Sequence, residues 1–140
     1  MNAIYLWDSH TSQCLKTLMG HTGTIWDVAF SPDGKMIASG SDDGSVRLWD
    51  IDRGLCTKIL QGHTDLVYTV AFSPNGKTIA SGSQDGTIKI WNIRTGKCLD
   101  TMRSDRPYER INITGVRGIT EAQKAILKTL GAVEHEGEVF

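Results

Sequence analysis

Residues 24–30, Thr-Ile-Trp-Asp-Val-Ala-Phe, are rich in β-branched and aromatic side chains and run into Ser31-Pro-Asp-Gly34. Pro pre-sets φ at the first corner of such a turn and Gly accepts a positive φ at its end. A strand and a hairpin are predicted. A short second strand follows at 36–41 and a tight turn at Asp42-Asp43-Gly44. A third strand at 45–50 alternates polar with apolar residues, and a fourth covers 55–60. The order recurs at 66–72, 78–83, 87–92 and 97–102, with turns at Ser73-Pro-Asn-Gly76 and Gln84-Asp-Gly86. Four short antiparallel strands per unit, with turn chemistry at each junction, make one blade of a β-propeller.

The recurrence has a 42-residue period. Trp7, Trp49 and Trp91 keep that step, as do Cys14, Cys56 and Cys98, His21 and His63, and Phe30 and Phe72. Aligning 20–61 on 62–103 gives 21 identities in 42 positions, where composition alone would produce roughly two or three. Gly20-His21 and Gly62-His63 open the units, and Trp49-Asp50, with the variant Trp91-Asn92, closes them. On these motifs the chain resembles the WD-repeat family from about residue 3 to residue 102.

The fold expected is therefore all-β, an incomplete WD-repeat propeller with blades at 24–60 and 66–102. A half-blade precedes them at 3–19, because Met1 falls on the repeat position of Asp43. Closed propellers take about four to eight blades. The expectation is a fragment of a larger propeller, or self-association that completes a ring, with Trp7 deprived of its usual partners.

The resemblance implies a buried hydrogen-bond network in each blade, formed by His21, Ser39, Asp43 and Trp49, and again by His63, Ser81, Asp85 and Trp91. Donor and acceptor chemistry supports it, since an indole N–H, a hydroxyl, an imidazole and a carboxylate can satisfy one another. Ser, His and Asp are also the members of a hydrolase triad. Two copies at one spacing, with no GxSxG elbow, favour the structural role. By the same resemblance, partner contacts concentrate at the start of each first strand and just before the turn Asp. Here those residues are Thr24, Trp26, Asp42, Leu66, Tyr68 and Gln84, and aromatic residues at such places are enriched in binding hot spots.

Composition narrows the partners. Fifteen Lys and Arg against sixteen Asp and Glu leave a formal net charge of −1, so no global field draws the chain to nucleic acid or an anionic membrane. No apolar run is long enough to span a bilayer and no basic, apolar leader opens the sequence, which reads as a soluble cytoplasmic protein. Three cysteines one repeat apart suggest neither a disulfide framework nor a zinc site. No cofactor is expected.

Beyond residue 102 the period stops. Residues 103–108 read as a charged linker. Thr120 and Gln123 fit a capping box for a short amphipathic helix over about 121–130, ended by Gly131. Asn112-Ile-Thr114 matches a glycosylation sequon by chance, and 134–138 read as an acidic end. The stretches 106–115, 118–124 and 130–134 resemble the tail of large cyanobacterial proteins that couple a NACHT-type NTPase to WD repeats. No GxxxxGK[ST] loop is present in this sequence. The function expected is a non-enzymatic scaffold for protein partners. Its rivals are the sensor arm of an NTPase encoded upstream and a nonfunctional gene remnant.

Overall fold

Each glycine-marked turn closes a hairpin, and the strands between the turns build three antiparallel sheets. The computed structural model describes residues 2–103 together with Gln123 and Ile126. Its strands are β1 (Ala3–Trp7), β2 (Cys14–Met19), β3 (Ile25–Phe30), β4 (Met36–Ser41), β5 (Val46–Asp50), β6 (Leu55–Leu60), β7 (Val67–Phe72), β8 (Thr78–Ser83), β9 (Thr87–Asn92) and β10 (Cys98–Arg103). β1 pairs with β2 alone, β3 to β6 form one four-stranded sheet in sequence order, and β7 to β10 form another. The result is two whole blades and a half-blade, not closed into a ring.

Local chemistry sets the turns. Gly34 and Gly44 take φ of +72° and +80°, a region that side chains with a Cβ rarely enter. Gly34 N–H closes on Ser31 O at 2.9 Å and Gly44 N–H on Ser41 O at 3.1 Å. The Ser31 hydroxyl donates to Asp33 (2.6 Å) and accepts the Met36 amide (3.0 Å). Ser73 and Asn75 repeat the first of these bonds in the second blade.

Residues directly opposite one another in a ladder share a face. Ile37 and Trp49 therefore lie on one face of the first blade, Ala38 and Leu48 on the other. The first face packs on Ile4 and Leu18 of the half-blade, and the second on Val70, Phe72, Ile79 and Trp91 of the second blade. The blades stack in sequence order. Lys16 ties the half-blade to the loop after β5 through the carbonyls of Ile51 (2.6 Å) and Asp52.

Two contacts set the spacing of the whole blades. Val70 N–H, on the edge strand β7, donates to Asp27 Oδ2 of β3 at 3.0 Å, and the Thr69 hydroxyl donates to the same oxygen at 3.3 Å. An unpaired strand edge is thereby occupied by a side chain from the neighbouring blade. A Cβ at Gly40 would sit 2.7 Å from Val67 Cγ1 and 3.1 Å from Val67 O, so only glycine permits this approach. Gly40→Ala should cost about 1–3 kcal/mol by overpacking, read as a lower urea midpoint. An unchanged midpoint would show that the blades can part here without loss.

Of the helix expected over 121–130, Gln123 and Ile126 are described, both helical and buried. Gln123 Nε2 donates to Thr78 Oγ1 at 3.4 Å. Thr78 lies on the face of the second blade that carries Ala80 and Ile90, away from the first blade. Arg103, expected to start the linker, instead ends β10, where it pairs with Thr87; Thr120, residues 104–108 of that linker, Gly131, the sequon at Asn112 and the acidic end 134–138 lie outside the described residues.

Candidate functional site

The repeat brings the two sets of polar residues together. β4 carries Ser39, β5 carries Trp49, the turn between them carries Asp43, and His21 enters from the connection before β3. Trp49 Nε1–H donates to Ser39 Oγ at 2.8 Å, Ser39 Oγ lies 2.6 Å from His21 Nε2, and His21 Nδ1 lies 2.7 Å from Asp43 Oδ2. An ionised carboxylate can only accept, so Nδ1 holds the proton and Nε2 accepts from the serine hydroxyl. The second blade repeats the chain from Trp91 through Ser81 and His63 to Asp85, at 2.8, 2.7 and 3.0 Å.

Two further hydroxyls belong to the network and escaped the sequence reading. Ser45 Oγ donates to Asp43 Oδ1 at 2.6 Å, and Thr87 Oγ1 donates to Asp85 Oδ1 at 2.5 Å. The signal was a hydroxyl-bearing residue two places after the turn Asp in both repeats. The amides of Thr22 and Thr64 complete each carboxylate, at 3.1 and 3.0 Å.

Burial and bonding pull the titrations apart. Burial lowers the His21 and His63 pKa values below the ordinary range, and this outweighs the opposing pull of the Asp partners. For Asp43 and Asp85, burial acts to raise the pKa. The hydroxyls of Ser45 and Thr87, with the histidine and amide donors, overcome it and hold both carboxyls down at about 2. At neutral pH each network holds a neutral imidazole beside a carboxylate.

Ser39, His21 and Asp43 are thus linked in the order of a hydrolase triad. Ser39 and Ser81 are nevertheless fully buried, and each oxygen already carries an indole N–H. A substrate carbonyl has no approach to either oxygen. Among the described residues there is no cluster of His, Cys, Asp and Glu able to hold a metal ion.

The second set of candidates lies at the rim. Trp26, Leu66, Tyr68 and Gln84 line one open depression of about 330 Å³. Asp42 flanks it, accepting the Trp26 indole N–H at 2.5 Å, and Asp42 N–H closes on Thr24 O as Gln84 N–H does on Leu66 O. Trp26 is 55% exposed, while Tyr68 is half-buried. Burial and the charge of Asp85 raise the Tyr68 pKa, so it offers a neutral hydroxyl.

The family model for the WD domain, G-beta repeat, matches residues 12–50 and 54–92, more than half of the chain, which therefore belongs to the WD40 repeat family. Over 45 residues it is 44% identical to nuclear distribution protein PAC1 of Arthroderma benhamiae, covering 32% of this chain and 10% of that protein. Over 44 residues it is 48% identical to the serine-threonine kinase receptor-associated protein of Gallus gallus, covering 31% and 13%. A 34-residue stretch is 62% identical to an uncharacterized WD repeat-containing protein of Nostoc sp., covering 24% and 2%. The matches span at most 13% of these three relatives' own lengths.

Proposed function

We propose that the chain is a non-enzymatic interaction module that binds a protein partner through the rim depression. The observation that carries this reading is the convergence of Trp26, Leu66, Tyr68 and Gln84, from two different blades, on one apolar hollow. Two aromatic rings on rigid strands offer large contact area at small entropic cost, and Asp42 and Gln84 supply polar specificity at the border. Membership of a repeat family whose members serve as interaction scaffolds supports the same role. The cysteines Cys14, Cys56 and Cys98 are free thiols, which fits a reducing, cytoplasmic setting.

Comparative affinity capture tests the proposal, using the wild-type chain, Trp26→Ser/Tyr68→Ser, and a control pair on the outer strand, Leu55→Ser/Ile59→Ser. A partner held by the wild type and the control, and bound about 30-fold or more weakly by the rim variant, is the expected result. Equal binding by all three would contradict it. Labelling of Ser39 or Ser81 in the folded chain by a fluorophosphonate probe would contradict the non-enzymatic part.

A further inference from the structure

The two junctions between successive blades use the same repeat positions and differ in charge. Where the two whole blades meet, beside the Ser73-Pro-Asn-Gly76 turn, a hollow of about 620 Å³ opens between them, a size that suits a ligand site. Met36 and Ile93, which pack against the core, give it an apolar base. Lys58, Lys77 and Arg94 line it with three positive charges, and Asp50 with one negative. The cations come from three segments, Lys58 from β6, Lys77 from the residues just before β8, and Arg94 from the loop after β9. None of their charged heads has an ion-pair or hydrogen-bond partner among the described residues, and Asp50 accepts the Arg53 amide at 3.0 Å.

Forty-two residues earlier the corresponding positions hold Lys16, Lys35, Asp52 and Asp8, with Asp50 in the place of Asn92. Two cations stand against three carboxylates there, where the second junction has three cations and one carboxylate. The stems of Lys16 and Lys58 run alike, since a Cβ on Gly54 or Gly96 would lie 3.5 or 3.6 Å from their Cδ atoms. Their heads part company. Lys16 Nζ donates to the carbonyls of Ile51 and Asp52, whereas Lys58 makes no such bond to Ile93 or Arg94 among the described residues. With Arg94 in the place of Asp52, those carbonyls come with a repelling cation instead of an attracting carboxylate. The lysine that closes one junction is left open at the other.

We propose that this hollow binds an acidic segment of a protein partner, an extended stretch with one apolar side chain flanked by glutamate or aspartate. The apolar side chain covers Met36 and Ile93. Carboxylates on either side of it meet Lys58, Lys77 and Arg94, the last as a two-pronged donor. Charge complementarity selects this occupant. The chain as a whole carries a formal charge of −1, so the positive excess belongs to the hollow and not to the protein at large. A lone phosphate would leave the apolar base uncovered.

The inference does not rest on the rim depression. Lys77 precedes β8 and Gln84 follows it, so the two sites lie at opposite ends of a six-residue strand, about 20 Å apart.

The probe is an end-blocked, dye-labelled peptide, Gly-Glu-Glu-Leu-Glu-Glu-Gly, titrated into the full chain and followed by fluorescence anisotropy. Saturable binding with a dissociation constant on the order of 100 µM or tighter in about 50 mM salt is expected, weakening about fivefold in about 300 mM salt. Asn92→Asp/Arg94→Asp installs the first junction's charges on a turn that accepts them, because Asp50 Oδ1 and Asn92 Oδ1 take equivalent amides, from Arg53 and Thr95. That variant should keep its urea midpoint and bind about tenfold or more weakly. Should it fail to fold, Lys77→Gln/Arg94→Gln decides, with an expected loss of about fivefold. The Trp26→Ser/Tyr68→Ser protein should bind as the wild type does.

Equal binding of the peptide Gly-Gln-Gln-Leu-Gln-Gln-Gly, or unchanged affinity in the folded groove variant, would overturn the proposal. So would full displacement of the acidic peptide by millimolar inorganic phosphate at constant ionic strength, because it would assign the hollow to phosphate. Binding that appears only after Glu134→Gln/Glu136→Gln/Glu138→Gln would assign it to the chain's own end and overturn the proposal too. Loss of binding in the Trp26→Ser/Tyr68→Ser protein would do the same by placing the peptide at the rim.

Discussion

Trp49→Ala or Trp91→Ala should lower stability by about 3–5 kcal/mol, whereas Trp7→Ala should cost no more than about 1 kcal/mol. The three residues occupy one repeat position and differ in surroundings. Trp49 and Trp91 are 1% and 2% exposed, each packs between two sheets, and each anchors a serine that in turn holds a histidine. Removing either ring opens a cavity and leaves the serine without its donor. Trp7 sits on a two-stranded sheet with most of its surface in water. Urea unfolding of the three variants separates the cases, and equal losses at Trp7 and Trp49 would contradict the burial difference.

Stability should fall in two steps on acidification. Above pH 7 the histidines are neutral in both folded and unfolded chains, so their linkage to folding is flat. His21 and His63 have folded pKa values below the ordinary 6.5. As pH drops under 6.5 the unfolded chain binds protons that the folded chain refuses, and stability declines. Asp43 and Asp85 titrate at about 2 when folded against 3.8 ordinarily. Between pH 3.8 and 2 the unfolded chain again binds the extra protons, and a second loss follows. Urea midpoints measured from pH 8 to pH 3 should therefore be level at first and then descend. Midpoints that stay constant from pH 7.5 to 4 would show that the networks do not hold neutral imidazoles beside ionised carboxylates.

Strand order and turns were legible because the repeat states them twice. The Ser-Pro-Asp-Gly and Asp-Asp-Gly turns fix where chains reverse, and the strands between them start or stop within one residue of the positions the pattern indicates. The polar networks were legible for the same reason, since four chemically matched residues recur at one spacing. The contrast between Val28, 46% exposed, and Val70, 4% exposed, was not, because the same residue within the same Val-Ala-Phe run differs here in what lies across the interface. A periodic sequence describes the unit and leaves its neighbours unstated. Asp27 was missed although it carried a signal, being a lone carboxylate inside an otherwise apolar strand, Ile25–Phe30, at a position where the next repeat has Thr69.

That difference between Asp27 and Thr69 bears on how such an array could lengthen by recombination. Asp27 clamps the blade after it by accepting the Val70 amide, while Thr69, in the same repeat position, serves as a donor to Asp27. Duplicating residues 20–61 would hand each new blade a clamp for its successor. A duplicate of 62–103 placed after the second blade would meet a threonine instead of a carboxylate, and the inner edge of the newcomer would go unclaimed. The two repeats, half identical in sequence, are therefore not interchangeable as building material.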